Sequence, residues 1–212
     1  MEPIILIGGG GHCISCIDVL RSTDNYEIVG ILDTPDKVGS KLSDISVIGT
    51  DEDIPMLAKQ YKNFLISVGQ IKSSEIRERI YNIVKSCGGS LPVIASTRSY
   101  ISKTAHLSEG TIVMHNALIN AGAVIGKNCI INSGALIEHE VIIGDFCHIS
   151  THAVVNGQTK VGRRSFIGSN SVIGNNVCLP EEIIIAAGAC ITKSPDETGT
   201  YFGNPARKLI EQ

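Results

Sequence analysis

Residues 100–195 divide into sixes without a break: YISKTA HLSEGT IVMHNA LINAGA VIGKNC IINSGA LIEHEV IIGDFC HISTHA VVNGQT KVGRRS FIGSNS VIGNNV CLPEEI IIAAGA CITKSP. The second residue of each block is Ile, Leu or Val, from Ile101 and Leu107 through Ile137, Ile143 and Ile149 to Ile185 and Ile191. The sixth is usually small, as at Ala117, Ala123, Cys129, Ala135, Cys147, Ala153, Ser165 and Ala189. A period of six fits neither the 3.6-residue helix nor the two-residue alternation of a simple strand. It predicts a triangular parallel coil with one short strand and one turn per side. The aliphatic residue points inward, and the small residue sits where the wall bends. A Gly after the aliphatic (Gly126, Gly144, Gly162, Gly168, Gly174) is expected to ease the turn. Three sixes close one coil, so residues 18 apart stack. At about 4.8 Å per coil the prism is about 25 Å tall, with ends that need caps. Cys129 and Cys147, one coil apart, read as small wall residues rather than a disulfide.

Upstream the pattern changes. Residues 3–7 read as a buried strand, followed by Gly8-Gly9-Gly10-Gly11 and a helix from His12 to about Ser22. Residues 27–33 read as a second strand ending at Asp33, and 52–60 as helical. Residues 64–69 read as a third strand, and 72–86 as a helix with Ile76, Ile80, Ile83 and Val84 on one face. This βαβ alternation predicts a small Rossmann-like α/β domain over residues 1–90. The all-β prism and its tail would then fill 91–212. A Gly-rich turn opening a helix lets backbone N–H groups approach phosphate oxygens. Asp33, about 20 residues on, is placed to meet a ribose or base. The dinucleotide pattern would need Gly at position 13, where Cys13 stands. That favours a mononucleotide or nucleotide sugar over NAD.

The 212 residues are 43% hydrophobic and 18% charged, a globular composition. The net charge of −3 argues against a nucleic-acid binder. No apolar run of about 18 residues is present to span a membrane, and no secretion signal is visible. Together with seven Cys, this makes a cytoplasmic setting with reduced thiols the expectation. Cys13-x-x-Cys16 has the spacing of a redox or half-zinc motif, set against a plain reading as two small helix residues.

General-base chemistry needs a side chain that titrates near neutrality, and histidine suits it. Of the six His, His139 in Glu138-His139-Glu140 sits at an outward turn beside two carboxylates. A carboxylate on one ring nitrogen fixes the tautomer and raises the basicity of the other. A zinc hydrolase with His ligands shared between prisms would draw on His115, His148 and His152. However, the 33-residue gap from His115 to His148 misses the 36 of two coils. A non-catalytic nucleotide-sugar sensor is a third class.

The hexapeptide blocks resemble the hexapeptide-repeat acyltransferases, whose fold is a left-handed parallel β-helix and whose members are usually trimers. The order of the two parts, with Gly10-Gly11-His12, Asp33, Gly69, Glu138-His139-Glu140 and Gly203-Asn204-Pro205-Ala206-Arg207, resembles the PglD/NeuD family of sugar acyltransferases. Cys13 stands where that family commonly has Gly or Ala, and Thr34 where it has a second acidic residue. The resemblance implies acetyl-CoA as co-substrate, no metal, and a nucleotide-linked amino sugar as acceptor, a UDP-4-amino-4,6-dideoxy sugar above others. Sugar O-acetylation is the alternative. It implies His139 as general base oriented by Glu140. Glu138, Gly10, Gly11, His12, Asp33, Thr34 and Gly69 would lie at the substrate. His148, Ser169 and Ala187 would lie at acetyl-CoA, in sites between subunits of a homotrimer. Arg207 and Lys208 are candidates for the CoA phosphates.

Overall fold

A computed structural model describes residues 1–209. It divides into two compact units: Met1–Gly69 with Glu75–Thr97, and Gln70–Ser74 with the chain from Arg98 onward.

The first unit is a five-stranded sheet in the order β3-β4-β2-β1-β5. Its strands are β1 (Glu2–Ile7), β2 (Tyr26–Leu32), β3 (Lys41–Leu42), β4 (Ile45–Gly49) and β5 (Asn63–Ile66). All pairings are parallel except that of β3 with β4. Strand β1 is an unbroken apolar run because both its faces are covered, and Ile4 through Ile7 are fully buried. Helix α1 (Gly11–Thr23) buries Cys13, Cys16, Ile17 and Leu20 at helical spacing. The region 52–60 is less helical than its composition suggests: a 3₁₀ turn at Asp51–Asp53 and one helical turn, α2 (Ile54–Leu57). Strands β3 and β4 are too short to show a period in the sequence.

Helix α3 (Glu75–Ser86) corrects a second expectation. Ile80 and Val84 are buried, but Ile76 is 56% exposed and Arg77 is buried in its place. The Arg77 guanidinium donates to the carbonyls of Ile66 (3.0 Å) and Val68 (2.6 Å). A cation enters this interior because it satisfies carbonyls at the end of β5 that the sheet leaves unpaired. Cys13 and Cys16 are both buried, and burial pushes both thiols up. They are helix packing residues, since a reactive thiol needs an exposed, electropositive setting.

In the second unit, strands of two residues repeat every six positions, and each pairs in parallel with the strand 18 residues on, as Leu118 with Leu136 and Leu136 with Val154. One face holds the strands starting at Tyr100, Leu118, Leu136, Val154, Val172 and Cys190. A second holds those starting at His106, Val124, Ile142, Lys160 and Cys178. The third holds Ile112, Ile130, His148, Phe166 and Ile184, and ends on a hairpin, Thr200–Phe202 with Arg207–Lys208. The second residue of each strand points inward, and from Val113 to Ile191 these residues are at most 4% exposed.

The glycines after the aliphatics serve a different purpose from the one expected. The left-handed residues lie at every sixth position from Gly110 to Gly188, among them Asn116, Gly122, Asn128, Gly134, Glu140, Phe146, His152 and Gln158. None of Gly126, Gly144, Gly162, Gly168 or Gly174 is left-handed. The first four are needed for close approach between coils. A Cβ on Gly144 would lie 2.6 Å from the Arg163 nitrogen, and one on Gly162 would lie 2.4 Å from the Glu181 nitrogen.

Cys129 and Cys147 are free thiols in a corner column with Thr111 and Ser165. Thr111 Oγ1 donates to the Gly126 carbonyl (2.8 Å), Cys129 Sγ to Gly144 (3.2 Å) and Cys147 Sγ to Gly162 (3.1 Å). Ser165 Oγ donates to the same Gly162 carbonyl at 2.7 Å. The thiols therefore act as weak hydroxyls, and burial holds Cys147 well above the usual 9.0. Cys147→Ser is expected to change unfolding free energy by less than about 1 kcal/mol, because Ser can supply the same donor. Cys147→Val, which removes the donor, should cost about 1–3 kcal/mol in urea titrations.

Candidate functional site

The first unit carries an anion-ready loop. Gly8 has φ +104° and sits where a Cβ would come within 2.4 Å of Val68 Cγ2. A Cβ on Gly9 would come within 2.5 Å of Asp33 Oδ2. Gly10 and Gly11 instead border open space. Gly10 is the N-cap of the 13-residue α1 and offers no side-chain cap. The first-turn amides therefore open beside two glycines that leave room for a ligand. His12, in the first turn, lies with its Cβ near Gly69.

Asp33 follows β2 and clamps this loop. Its Oδ2 accepts from the Gly9 amide (3.1 Å) and Lys37 Nζ (2.9 Å), and its Oδ1 from the Thr34 amide (2.8 Å). Partial burial pulls its pKa up. The Lys37 ammonium and the Thr34 and Gly9 amides outweigh that and hold it below the usual 3.8. Beside it opens a cleft of about 480 Å³ lined by Leu32, Asp33, Thr34, Pro35, Ile76 and Ile80, among others. Arg79 and Asp51, paired at 2.8 Å, also line the cleft. The exposed Ile76 thus has a place on the cleft wall.

The second unit carries the proposed base. His139 and Glu140 occupy the turn between the first and second faces, with side chains 55% and 61% exposed. His139 Nδ1 lies 3.4 Å from Glu140 Oε2. Its Nε2 lies over Gly157, one coil on, where a Cβ would come within 2.5 Å of it. Glu140 is left-handed, with φ 59°. Gln158, also left-handed with φ 59°, donates from Nε2 to the same Glu140 oxygen at 3.0 Å. Glu138 is partly committed: its Oε2 accepts from Asn120 Nδ2 (3.0 Å) and the His139 amide (3.2 Å).

His148 is different in kind. It is 8% exposed and stands edge-to-face with Phe166, ring centroids 5.2 Å apart. Its Nδ1 donates to the Gln70 carbonyl (2.6 Å), so Nε2 is the acceptor from Asn132 Nδ2 (3.1 Å). The Asn132 amide is itself oriented, because its Oδ1 accepts from the Ser133 amide (2.8 Å). Both ring nitrogens are committed. Ser169 Oγ pairs with Ser150 Oγ (2.9 Å), and Ala187 lies one coil beyond Ser169. These two and Asn132 belong to the turns between the third and first faces. A single chain therefore sets Ser169 and Ala187 on one corner of the triangle and His139 and Glu140 on another.

A family model described as the PglD N-terminal domain matches residues 3–84. One described as bacterial transferase hexapeptide (six repeats) matches 123–157 and 140–175. The chain thus joins a PglD-type N-terminal domain to hexapeptide transferase repeats, the order of parts that resembles the PglD/NeuD sugar acyltransferases. Among solved structures, a histidine-to-asparagine variant of perosamine N-acetyltransferase from Caulobacter crescentus, in complex with CoA and GDP-perosamine, is 26% identical. The match covers 100% of this chain and 98% of that one, with a TM-score of 0.93. The acetyltransferase domain of PglB from Neisseria gonorrhoeae, in complex with acetyl coenzyme A, is 28% identical over 98% of this chain and 99% of that one, with a TM-score of 0.90. WeeI from Acinetobacter baumannii, 21% identical with a TM-score of 0.81, shares the fold. The prism is accordingly a left-handed parallel β-helix of hexapeptide repeats.

Several residues at these sites carry no signal of their own in the sequence. Asn132, Gly157 and Gln158 are ordinary turn residues in one dimension, and only the 18-residue stacking sets them on His148, His139 and Glu140. Arg79 and Ile76 reach the cleft through the packing of α3. Arg207 lines a smaller cleft of about 310 Å³ at the last coil, together with Lys193, Tyr201 and Cys190, whereas Lys208 pairs with Glu197. No group of three or more His, Cys, Asp or Glu among the described residues is arranged to hold a metal. No described helix is long and apolar enough to cross a membrane.

Asp33 generates a pH prediction. Its folded pKa is depressed, so the stability it confers is present above the unfolded value of 3.8 and is lost as pH falls through the folded value. The gap in unfolding free energy between wild type and Asp33→Asn should be constant near pH 7. It should narrow below about pH 4 in denaturant titrations.

Proposed function

We propose that this chain is an acetyl-CoA-dependent N-acetyltransferase acting on the amino group of a nucleotide-linked amino sugar, a UDP-4-amino-4,6-dideoxy sugar being the first acceptor to test. The observation that carries the reading is the His139–Glu140 pair, whose remaining ring nitrogen stands over a glycine that leaves space beside it. The open Gly10-Gly11 start of α1 supports diphosphate binding, with His12 and Gly69 beside it. The cleft behind Asp33 and Thr34 supports the nucleoside. The match to enzymes crystallised with CoA, and in one case with GDP-perosamine, supports the same class.

In this mechanism the amine nitrogen attacks the thioester carbon while His139 Nε2 takes its proton. Glu140 stabilises the imidazolium that forms. Collapse of the tetrahedral adduct breaks the carbon–sulfur bond, and His139 returns the proton to the departing thiolate. Attack is direct. Cys129 and Cys147 are fully buried and bonded to carbonyls, so neither is available to carry an acyl group. His148, held neutral and rigid, and Ser169 and Ala187 on the adjoining corner form the acetyl-CoA wall. Lys193 and Arg207 at the last coil supply positive charge for its phosphates. Glu138 keeps its other oxygen for the sugar. The setting is the cytoplasm, where acetyl-CoA and nucleotide sugars are made available.

Thiol release from acetyl-CoA with UDP-, dTDP- and GDP-linked 4-amino-4,6-dideoxy sugars tests the reading, with free sialic acid as the O-acetyl control. Turnover is expected with one nucleotide amino sugar. Turnover with sialic acid alone would refute N-acetylation, and tight binding without turnover would refute an enzyme. His139→Ala should lower kcat by roughly 10²–10⁴-fold, and an unchanged kcat would remove His139 from the mechanism.

The two candidate corners meet only if a second chain brings one against the other, so we further propose a homotrimer with sites between subunits. Outward aliphatics support it: Val124 and Ile142 on the second face are 40% and 42% exposed, and Val172 on the first is 38% exposed. Light scattering should give three times the 22.6 kDa chain mass. A monomer of full activity would overturn the shared site.

A further inference from the structure

We infer that Gln158 is a positioning residue for the acetyl transfer, holding the Glu140 carboxylate against His139. The inference rests on the reading of His139 as the base, and it extends that reading to a residue in the next coil.

Three observations carry it. First, Gln158 Nε2 donates to Glu140 Oε2 at 3.0 Å, and it is this oxygen that stands 3.4 Å from His139 Nδ1. The Gln158 backbone amide also donates to the His139 carbonyl at 3.0 Å. One residue therefore holds the base by its main chain and the base's partner by its side chain.

Second, the position is an unlikely one for either long side chain by conformation alone. Glu140 and Gln158 belong to a column with Gly122 and Asn176, and all four are left-handed. Gly and Asn are the residues that adopt this conformation readily, whereas Glu and Gln are disfavoured there. The coil imposes this conformation at every sixth residue, and Arg164 and Glu182 also pair one coil apart in it; the Glu140–Gln158 pair differs in lying against the His139 ring. Here the two strained residues are successive members of one column, and each side chain bonds to the other.

Third, the chemistry of the pair is directional. A carboxamide donates to a carboxylate without changing its charge. Glu140 thus keeps its full negative charge toward the imidazolium while losing rotational freedom. A carboxylate at 158 would instead repel Glu140, and an alkyl group would leave it to swing into solvent.

The test is a double-mutant cycle on the full-length enzyme, assayed by thiol release with the acceptor found active. Gln158→Gly removes the side chain and suits the left-handed backbone, so the melting temperature should hold or rise. Its kcat should nevertheless fall about five- to tenfold, with little change in KM for either substrate. Gln158→Glu should fall further. In a Glu140→Ala background, Gln158→Gly should produce no additional loss. A kcat for Gln158→Gly equal to wild type would overturn the inference, as would an equal further loss in the Glu140→Ala background. His139→Ala separates the two levels of the argument. If it retains activity, the reading of the base fails. If it is inactive while Gln158→Gly is unaffected, the base stands and Gln158 plays no part.

Discussion

Everything in the prism follows from the 18-residue register. Each two-residue strand finds its hydrogen bonds in the strands one coil before and one coil after it. The side chain of every second strand residue has nowhere to go but inward. The interior is narrow, which is why it is built from Ile, Leu and Val and excludes aromatic rings. The same register forces close backbone contact at the glycines that follow the inward aliphatics, where a side chain would strike the next coil. It also stacks each turn upon its equivalent, so that chemistry placed in one turn is built upon by the turns above and below.

That stacking explains where the reactive groups are. Inward positions are committed to packing, and the small corner residues are committed to carbonyls, as Thr111, Cys129, Cys147 and Ser165 show. Turns are the remaining places for protruding polar side chains. His139 and Glu140 use one, with Gly157 giving the ring its space and Gln158 bracing the carboxylate. His148 lies on a strand instead, and there the surroundings absorb both of its nitrogens. Two histidines nine residues apart thus acquire opposite characters, one exposed on a turn, the other buried and fixed.

The α/β unit obeys a different constraint with a similar result. Its parallel strands end at one edge of the sheet, where carbonyls and amides lose their ladder partners. Arg77 takes up carbonyls after β5, Ser67 takes up those after β1, and Asp33 takes the Gly9 amide. What is left open at that edge is the start of α1 and the cleft beside it. A ligand with phosphate and a ring system suits both.

The sequence by itself determined the prism, its inward residues and the register, because a period of six repeated sixteen times admits one packing solution. It also determined the Gly-rich strand–helix unit and singled out His139 between its two acids. Each of these rests on residues adjacent in the chain or spaced by a constant interval. What only the tertiary structure decided involves partners at irregular separations. Examples are Gln70 on His148, Arg77 on the end of β5, Asp33 on Gly9, and the lifting of Ile76 out of the core. Even the purpose of the repeating glycines was hidden. Backbone freedom and close approach call for the same residue, and only the position of the neighbouring coil distinguishes them.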